Sequence, residues 1–495
     1  MNKPINRRDF VGSALTTAVA AALMKPRFAF AKDVFSGIDA VEQAALVREK
    51  KITSLELVDA AIARIESANA KINAIVAEYF DKARKQSKTA LPASPLSGIP
   101  YLIKDLNDIK GEIATSGSRL MATHIGADNS LLAQKAIDAG MIVIGKSNTP
   151  EFGLMASTES LQLGACHNPW NTGYSTGGSS GGAAAAVASG MLPVAHASDG
   201  GGSIRIPASC CGVFGMKPSR GRMNFADKDK MPGDIGVENC VSRSVRNSAM
   251  VFSLSEDTSP HARFTPTGFV RGPAKKRLKI AFSTLSYYGK EPHEDVKANI
   301  EATAKLCTGL GHEIIEVKTP VSGQEFLDAF LTVWASIPVQ LVQLAISLKL
   351  KPEDVLEPWT IGLAEFFAKK PKDALAKSLA YFKTAEATMD AFFSHYDAWL
   401  TPVLSSTPPK LGERAPTVPF DTLCERITSY VAYTPIHNVA GSPAMSVPLG
   451  WGKNGLPIGS QFAAAKGDDG LLYALAYELE QARPWAAKHG AVWAG

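Results

Sequence analysis

Cysteine, net charge and long apolar runs are all scarce in this chain of 495 residues. The six cysteines include no C-x-x-C pair, so neither a disulfide framework nor a zinc site is indicated. Histidine and cysteine form no group with ligand spacing, and we expect neither a metal nor an organic cofactor. No segment after the N-terminal region reaches about 18 uninterrupted apolar residues, which favours a soluble mature protein without a membrane partner.

The formal charge of +5 is concentrated at the N-terminus. The first 31 residues carry a net charge of +4, from Lys3, Arg7, Arg8, Lys25 and Arg27 against Asp9. The rest of the chain is therefore close to neutral, with about one excess positive charge. Nucleic acid is not an expected partner.

The N-terminal segment has the pattern of an export signal. Arg7 and Arg8 form a twin-arginine pair, residues 12–24 are weakly apolar, and Ala29 and Ala31 offer small residues for cleavage. A run this short cannot cross about 30 Å of hydrocarbon as a helix. We predict a twin-arginine signal peptide over residues 1–31, the export machinery as a partner in transit, and a periplasmic or secreted mature protein.

Apolar spacing in the remaining chain predicts an α/β fold. Helical spacing between residues 40 and 87 predicts two amphipathic helices, and residues 130–139 another. Short apolar runs at 99–103, 141–144 and 278–282 predict buried strands, and strands at 399–402 and 444–449 are expected to join the same sheet. Residues 320–398 are predicted to be mainly helical. We expect residues 32–495 to form a single domain.

Residues 140–147 match the phosphate-loop pattern G-x-x-x-x-G-K-S. A phosphate loop needs flexible residues followed by a helix whose N-terminus faces the phosphates. Here the four intervening residues are Met-Ile-Val-Ile, and Asn-Thr-Pro follows. The segment is therefore interpreted as a buried strand ending in a turn.

Two glycine-rich turns each carry a serine, Ser179 in GGSSGG and Ser203 in DGGGSIRIP, 24 residues apart. A serine that attacks an amide needs a base to remove its proton and N–H donors for the oxyanion. Glycines can present N–H groups without an obstructing side chain. GGSSG also fits the nucleophile elbow of α/β-hydrolases, which would require a histidine such as His437 or His489, but we predict no strand before it.

Both turns, together with GIPYLIKD at 98–105, GKSNTPEF at 145–152 and GVFGMKP at 212–218, resemble the amidase signature family. Similar motifs near the C-terminus extend the resemblance over about residues 40–485. It implies a mixed central sheet flanked by helices on both faces, with a signature core at about 95–250 and a helical substrate region at about 320–435. It also implies an amidohydrolase acting on carbon–nitrogen bonds.

The resemblance assigns catalytic roles to three residues. Ser203 corresponds to the nucleophile, Ser179 to a bridging serine after a cis Gly178–Ser179 peptide, and Lys104 to the base, with Ser180 as a second candidate for the bridge. An acyl-enzyme on Ser203 is implied. A lysine that is half neutral at pH 7 needs a pKa lowered by about 3.4 units, within what burial can supply. The backbone N–H groups expected at the oxyanion are those of Gly200, Gly201, Gly202 and Ser203.

Further motifs, including NPWN at 168–171, resemble the bacterial branch that contains nylon-oligomer cyclic-dimer hydrolase. The helical region carries five candidate pocket residues: Phe326, Phe330, Trp334, Leu341 and Trp359. They predict a small-molecule substrate with a bulky apolar linear or cyclic amide. The alternatives are an esterase, a protein like the amidase component of glutamyl-tRNA amidotransferase, and an inactive binding protein. The oligomeric state stays open, a homodimer included.

Overall fold

The computed structural model describes residues 35–223, 232–321 and 323–495. The signal peptide expected at residues 1–31 lies outside the described residues and stays a prediction. Fifteen α-helices in the described residues are labelled α1 to α15 in chain order: Ala40–Arg48, Ser54–Ile72, Phe80–Gln86, Leu131–Asp138, Gly181–Ala188, Arg205–Cys211, Val245–Ser255, Glu294–Gly309, Gly323–Ser347, Pro352–Val355, Pro358–Ala368, Ala374–Phe393, Phe420–Tyr430, Pro435–Ala440 and Asp469–Ala482.

The strands of the described residues are labelled β1 to β15 in the same way: Ile75–Glu78, Pro100–Lys104, Ile142–Ser147, Glu159–Ser160, Gly164–Ala165, His167–Asn168, Asn171–Ser175, Val194–Asp199, Phe214–Lys217, Val237–Ser242, Lys279–Phe282, Glu313–Glu316, Ala398–Pro402, Ala444–Trp451 and Pro457–Ala463. Between residues 40 and 87 the chain forms three helices and a strand, where the apolar spacing predicted two helices. Thr53 and Glu56 cap α2 reciprocally, which fixes the start of this helix.

An eight-stranded mixed sheet forms the centre, in the order β12-β11-β13-β15-β14-β9-β10-β8. β11 is parallel to β12 and β13, and the other neighbours are antiparallel. A smaller sheet has the order β1-β3-β2. The predicted α/β class is confirmed, but the expectation of one shared sheet is wrong: β2 and β3 belong to the small sheet, whereas β13 and β14 belong to the large one.

Side chains of the large sheet alternate between two helical layers, as pleated strands require. Met445 and Phe462 pack with residues of α7, α8 and α15. Their neighbours Ala444 and Ala463 pack with residues of α9, α12 and α14 on the other face. The small sheet packs through β2 against the edge strand β8. The end of β2 therefore lies beside the strand that leads into the second glycine-rich turn.

The predicted helical region at 320–398 is confirmed as α9 to α12. Among the described helices, α9 is long and apolar enough to cross a membrane by length and composition. Its residues Phe326 and Val333 are nevertheless fully buried against other elements of the protein. The helix therefore packs against the rest of the protein along one side and forms one wall of a cavity described below.

Candidate active site

Lys104 ends β2, and the apolar residues before it carry its side chain into the interior, where it is 0% exposed. Its Nζ donates hydrogen bonds to three serine hydroxyls. The distances are 2.7 Å to Ser179 Oγ, 2.9 Å to Ser180 Oγ and 3.0 Å to Ser198 Oγ. The ammonium group thus lies among neutral acceptors, without a carboxylate at hydrogen-bond distance in the described residues.

Burial lowers the pKa of Lys104 to about 7, and the charges of Glu238 and Asp199 act in the opposite direction. The adjacent Asp105 does not undo this effect, because its carboxylate accepts from the Thr115 hydroxyl and lies 3.6 Å from Lys146 Nζ. Removing a buried cation from water without a counter-ion favours the neutral amine. Lys104 can therefore accept a proton near neutral pH.

The first glycine turn places Ser179 beside this amine. The Gly178–Ser179 peptide bond is cis, and helix α5 begins at Gly181. A Cβ on Gly178 would lie 2.7 Å from the carbonyl oxygens of Met155 and Ser157, so only glycine fits there. This close approach explains why glycine precedes the serine.

The second turn is fixed by a buried ion pair. Arg205 donates from Nε to Asp199 Oδ2 at 3.0 Å and from a terminal nitrogen to Oδ1 at 2.9 Å. Burial alone would raise the pKa of Asp199, but the guanidinium holds it below its ordinary value. Arg205 also donates to Thr434 O, Gln461 Oε1 and Asn438 Oδ1. Arg205 thus stabilises the turn through these hydrogen bonds and is a structural residue.

Asp199 also takes one of the N–H groups expected at the oxyanion. Gly202 N donates to Asp199 Oδ1 at 2.7 Å, so this N–H already has a partner, and its expected role at the oxyanion stays a prediction. Within the described residues, the N–H groups of Gly200, Gly201 and Ser203 form no hydrogen bond. Three of the four expected donors therefore remain available.

Ser203 is only 7% exposed, and its remaining exposure is to a cavity of about 590 Å³, open solvent at its mouth included. A hydrogen bond from Ser180 N to Ser203 O, 3.3 Å long, joins the two glycine turns. Gly178 and Gly201 also border the cavity. The other lining residues are Leu154, Met155, Ala156, Ile206, Tyr287, Leu327, Phe330, Leu331, Trp334, Trp359, Ile427, Thr428, Val431 and Pro435. None of the lining residues is charged.

Three of the five residues expected in the pocket line this cavity: Phe330, Trp334 and Trp359. The rings of Phe330 and Trp334 are stacked with centroids 5.6 Å apart. Phe326 does not line it, because its ring is fully buried behind Phe330. Leu341 does not line the cavity either, because it lies further along α9 and packs against the cluster that contains Trp359 and Leu363.

Neither histidine of the α/β-hydrolase alternative is bonded to a serine of the two turns within the described residues. His437 is buried with its ring against Trp399. His489 stacks on Trp493 near the C-terminus. A short strand, β7, does lie before the GGSSG turn, so the expectation that none precedes it is wrong. The two histidines nevertheless have the positions of packing residues.

Sequence reasoning missed the side chains behind Lys104. Ser198 is a third acceptor for its Nζ, and His196 Nδ1 accepts from the backbone N–H of Lys104 at 3.2 Å. Glu238 lies opposite Ser198 on the neighbouring strand. Ser198 could have been suspected, since it directly precedes the Asp199 turn, whereas no motif marks Glu238.

Comparison with known proteins yields consistent matches along the chain. The amidase family model matches residues 56–473. Putative amidase AmiC of Mycobacterium tuberculosis is 35% identical over 465 residues, which cover 93% of this chain and 98% of that protein. The 6-aminohexanoate-cyclic-dimer hydrolase of Pseudomonas sp. strain NK87 is 33% identical over 479 residues, 91% and 96% of the two chains. A solved structure of 6-aminohexanoate cyclic dimer hydrolase with substrate superposes with a TM-score of 0.86 at 31% identity, covering 93% of this chain and 100% of that one.

Proposed function

This chain belongs to the amidase signature family, whose members hydrolyse amides, and we propose that it does so through an acyl-enzyme on Ser203, with Ser179 and Lys104 as the proton relay. The observation that carries the proposal is the 2.7 Å contact between the buried Lys104 amine and Ser179 Oγ. A neutral amine at this distance can receive the serine proton directly.

The first half of the reaction forms the acyl-enzyme. Ser203 Oγ passes its proton to Ser179 Oγ, whose own proton moves to Lys104 Nζ, and Ser203 Oγ bonds to the amide carbon. The carbonyl oxygen becomes an oxyanion beside the N–H groups of Gly200, Gly201 and Ser203. Fixed donors of this kind stabilise the charge that develops in the transition state.

The second half releases the products. The protonated Lys104 returns its proton through Ser179 to the nitrogen of the leaving amine as the carbon–nitrogen bond breaks. Water then attacks the ester carbon, transfers a proton along the same relay, and frees the acid together with Ser203. The enzyme regains its starting protonation, and no external acid or base is consumed.

The cavity supports a substrate with a bulky, uncharged and apolar portion next to the amide. Aromatic and aliphatic side chains form most of its wall, and none of the lining residues is charged. A carboxylate or ammonium buried there would lose its hydration without a partner, at a cost of several kcal/mol. The similarity to the cyclic-dimer hydrolases supports trying cyclic as well as linear amides.

The test uses the mature protein with a panel of aryl, alkyl, lactam and amino-acid amides. Amine release is followed beside Ser203→Ala, Ser179→Ala and Ser180→Ala, and mass spectrometry locates any acyl adduct. We expect Ser203→Ala to abolish release and Ser179→Ala to reduce it far more than Ser180→Ala. Equal release from wild type and Ser203→Ala would overturn the serine assignment.

A matched ester separates the esterase alternative from the amidase. An alkoxide leaves with less need for a proton than an amine, so Lys104→Met should reduce amide cleavage more than ester cleavage. Equal reductions, together with faster ester than amide turnover by the wild type, would favour an esterase.

We also propose that the chain is exported by the twin-arginine route. Fractionation of cells that produce the full chain, beside an Arg7→Lys/Arg8→Lys variant, tests this. Export of the wild type and retention of the variant are expected, while cytosolic accumulation of both would refute the signal.

A further inference from the structure

Glu238 shares a sheet face with the side chains that surround Lys104. In the antiparallel pair of β8 and β10, Glu238 lies opposite Ser198, and directly opposed residues project to the same face. Ser198 and His196, two residues apart on β8, both contact Lys104, through its Nζ at 3.0 Å and its backbone N–H at 3.2 Å. The carboxylate of Glu238 therefore lies on the face that packs against the end of β2.

Neutral groups hold this carboxylate. Glu238 Oε1 accepts from Asn107 Nδ2 at 2.7 Å, and Oε2 lies 3.6 Å from His196 Nε2. Because His196 Nδ1 accepts the backbone N–H of Lys104, that nitrogen carries no proton, and the ring is the neutral tautomer with its proton on Nε2. Burial would raise the pKa of Glu238, but its contacts with His196 and Asn107 lower it below the ordinary value, so the side chain is a carboxylate without an arginine or lysine of the described residues bonded to it.

The other charges near Lys104 are compensated locally. Asp199 is paired with Arg205 through two hydrogen bonds. Asp105 lies 3.6 Å from Lys146 Nζ. The charge of Glu238 also acts on the buried Tyr101 of β2, but burial raises the pKa of that hydroxyl well above the ordinary value, so Tyr101 adds no charge. The unpaired negative charge on this side of Lys104 is thus that of Glu238.

We propose that Glu238 is a positioning residue that controls the protonation of Lys104. Its carboxylate, which Asn107 holds on the face of β8 and β10 that packs against β2, determines the pH range in which Ser203 is activated. The inference rests on the proposed function, because it takes Lys104 as the base. A negative charge nearby favours the ammonium form, and burial favours the neutral form. Glu238 thereby keeps the amine basic enough to take a serine proton.

The consequence is a defined direction of change. Glu238→Gln removes the charge but keeps an oxygen for Asn107 Nδ2. Lys104 would then lose its proton at lower pH, so the acidic limb of the activity profile should move down by about one pH unit. With a wild-type midpoint near 7, this is about a fivefold higher rate at pH 6, relative to the plateau of each protein. Loss of structure alone would lower the plateau without moving the limb.

Glu478→Gln is the matched control. Glu478 Oε2 lies 3.0 Å from Nε2 of the buried His312, whose Nδ1 accepts the backbone N–H of Leu278. The side-chain exposures are 14% for Glu478 and 16% for Glu238. Glu478 is also paired with Arg277, so the control makes the same chemical change at another glutamate–histidine contact elsewhere in the fold.

The experiment measures the rate at which a fluorophosphonate inactivates each protein between pH 5 and 9. This reagent phosphonylates an activated serine, with loss of fluoride and transfer of the serine proton to the base, so it needs no knowledge of the natural substrate. Mass spectrometry confirms the adduct on Ser203. The acidic limb of kcat/KM for an active amide from the panel gives a second profile.

A downward shift in Glu238→Gln, with Glu478→Gln unchanged, supports the inference. Labelling of Ser203 in all three proteins with coincident acidic limbs would overturn it while leaving the Ser203 mechanism intact. Labelling that persists unchanged in Lys104→Met would instead overturn the proposed base. The two failures are therefore distinguishable.

Discussion

Replacing Lys104 with methionine should abolish amide hydrolysis. It should also change the free energy of unfolding relative to the wild type, and this difference should fall steeply as the pH rises. The reason is the burial of Lys104, which lowers its pKa to about 7 in the folded protein from 10.5 in the unfolded chain. Above pH 10.5 the amine is neutral in both states. Between 10.5 and 7 the unfolded chain binds the proton and the folded protein does not, so wild-type stability is lost as the pH falls, by about 1.4 kcal/mol per pH unit.

The magnitudes can be worked from these values. At pH 7.5 the penalty accumulated by the wild type is about 4 kcal/mol, and at pH 9.5 about 1.4 kcal/mol. Methionine removes the penalty but also removes three hydrogen bonds to serine hydroxyls, worth about 1 kcal/mol each. The variant should therefore be about 1 kcal/mol more stable than the wild type at pH 7.5 and less stable by a similar or larger amount at pH 9.5.

The assay is urea unfolding of both proteins at the two pH values. It compares the difference in free energy of unfolding between variant and wild type at pH 7.5 with the same difference at pH 9.5. The change between these two differences does not depend on the value assumed for the hydrogen bonds. That change should be about 2.5 kcal/mol. Burial also lowers the pKa of Lys217 to about 7, but Lys217 is present in both proteins and cancels. A difference that is the same at both pH values would show that Lys104 keeps its proton when folded, and would refute the reasoning.

Three further predictions concern the surroundings of the site. Asp199→Asn leaves the buried Arg205 without its counter-charge, so urea titrations should give a free energy of unfolding lower by about 3 to 5 kcal/mol; a loss below about 1 kcal/mol would contradict the buried pair. Burial and the charge of Glu151 raise the pKa of Glu357 to about 8, so the wild type loses stability as the pH rises from 5 to 7.5. In the same titrations, the free energy of unfolding of Glu357→Gln relative to the wild type should rise by about 1.4 kcal/mol per pH unit. A difference that does not change with pH would be inconsistent with a protonated Glu357. Trp334→Ala should lower kcat/KM for a bulky apolar amide by about tenfold or more, with fluorophosphonate labelling of Ser203 unchanged; an equal loss for a small amide would argue against a role in substrate binding.

The burial of Lys104 could be predicted from the sequence because the signal is local. Tyr101, Leu102 and Ile103 form a continuous apolar run without alternating polar residues. A strand with apolar residues on both faces must be covered on both sides. The residue that ends such a strand enters the interior with it. The same reasoning identified the phosphate-loop pattern at residues 140–147 as a strand, which is β3 in the structure.

The partition of strands between two sheets could not be predicted in the same way. Alternation and burial show that a segment is a strand, but not which strand it pairs with. β2 and β13 both have fully buried patterns, although one lies in the small sheet and the other in the large one. Their assignment depends on pairing with other strands of the chain, such as Pro100 with Ile142 and Trp399 with Ala463.

The functional details that sequence reasoning missed depend on hydrogen-bond partners. The letters of the second turn do not reveal that Asp199 takes the N–H of Gly202. Similarly, helical spacing places Phe326 and Phe330 on one face of α9, but not the point along that face where the core ends and the cavity begins. The position of Glu238 follows from the register of β10 on β8, which no local pattern encodes.

The position of the hydroxyl groups, more than the ease of losing a proton, decides which buried lysine can serve as the base. Burial lowers the pKa of Lys104, Lys146 and Lys217 alike. Lys146 Nζ donates to Asn107 O and lies beside Asp105, and Lys217 Nζ donates to Pro218 O. An amine that faces a carbonyl has no proton to receive from it, whereas Lys104 faces three hydroxyls. Loss of the proton makes any of these lysines a base in principle, but of the three only Lys104 contacts the hydroxyl of Ser179, as the proposed relay requires.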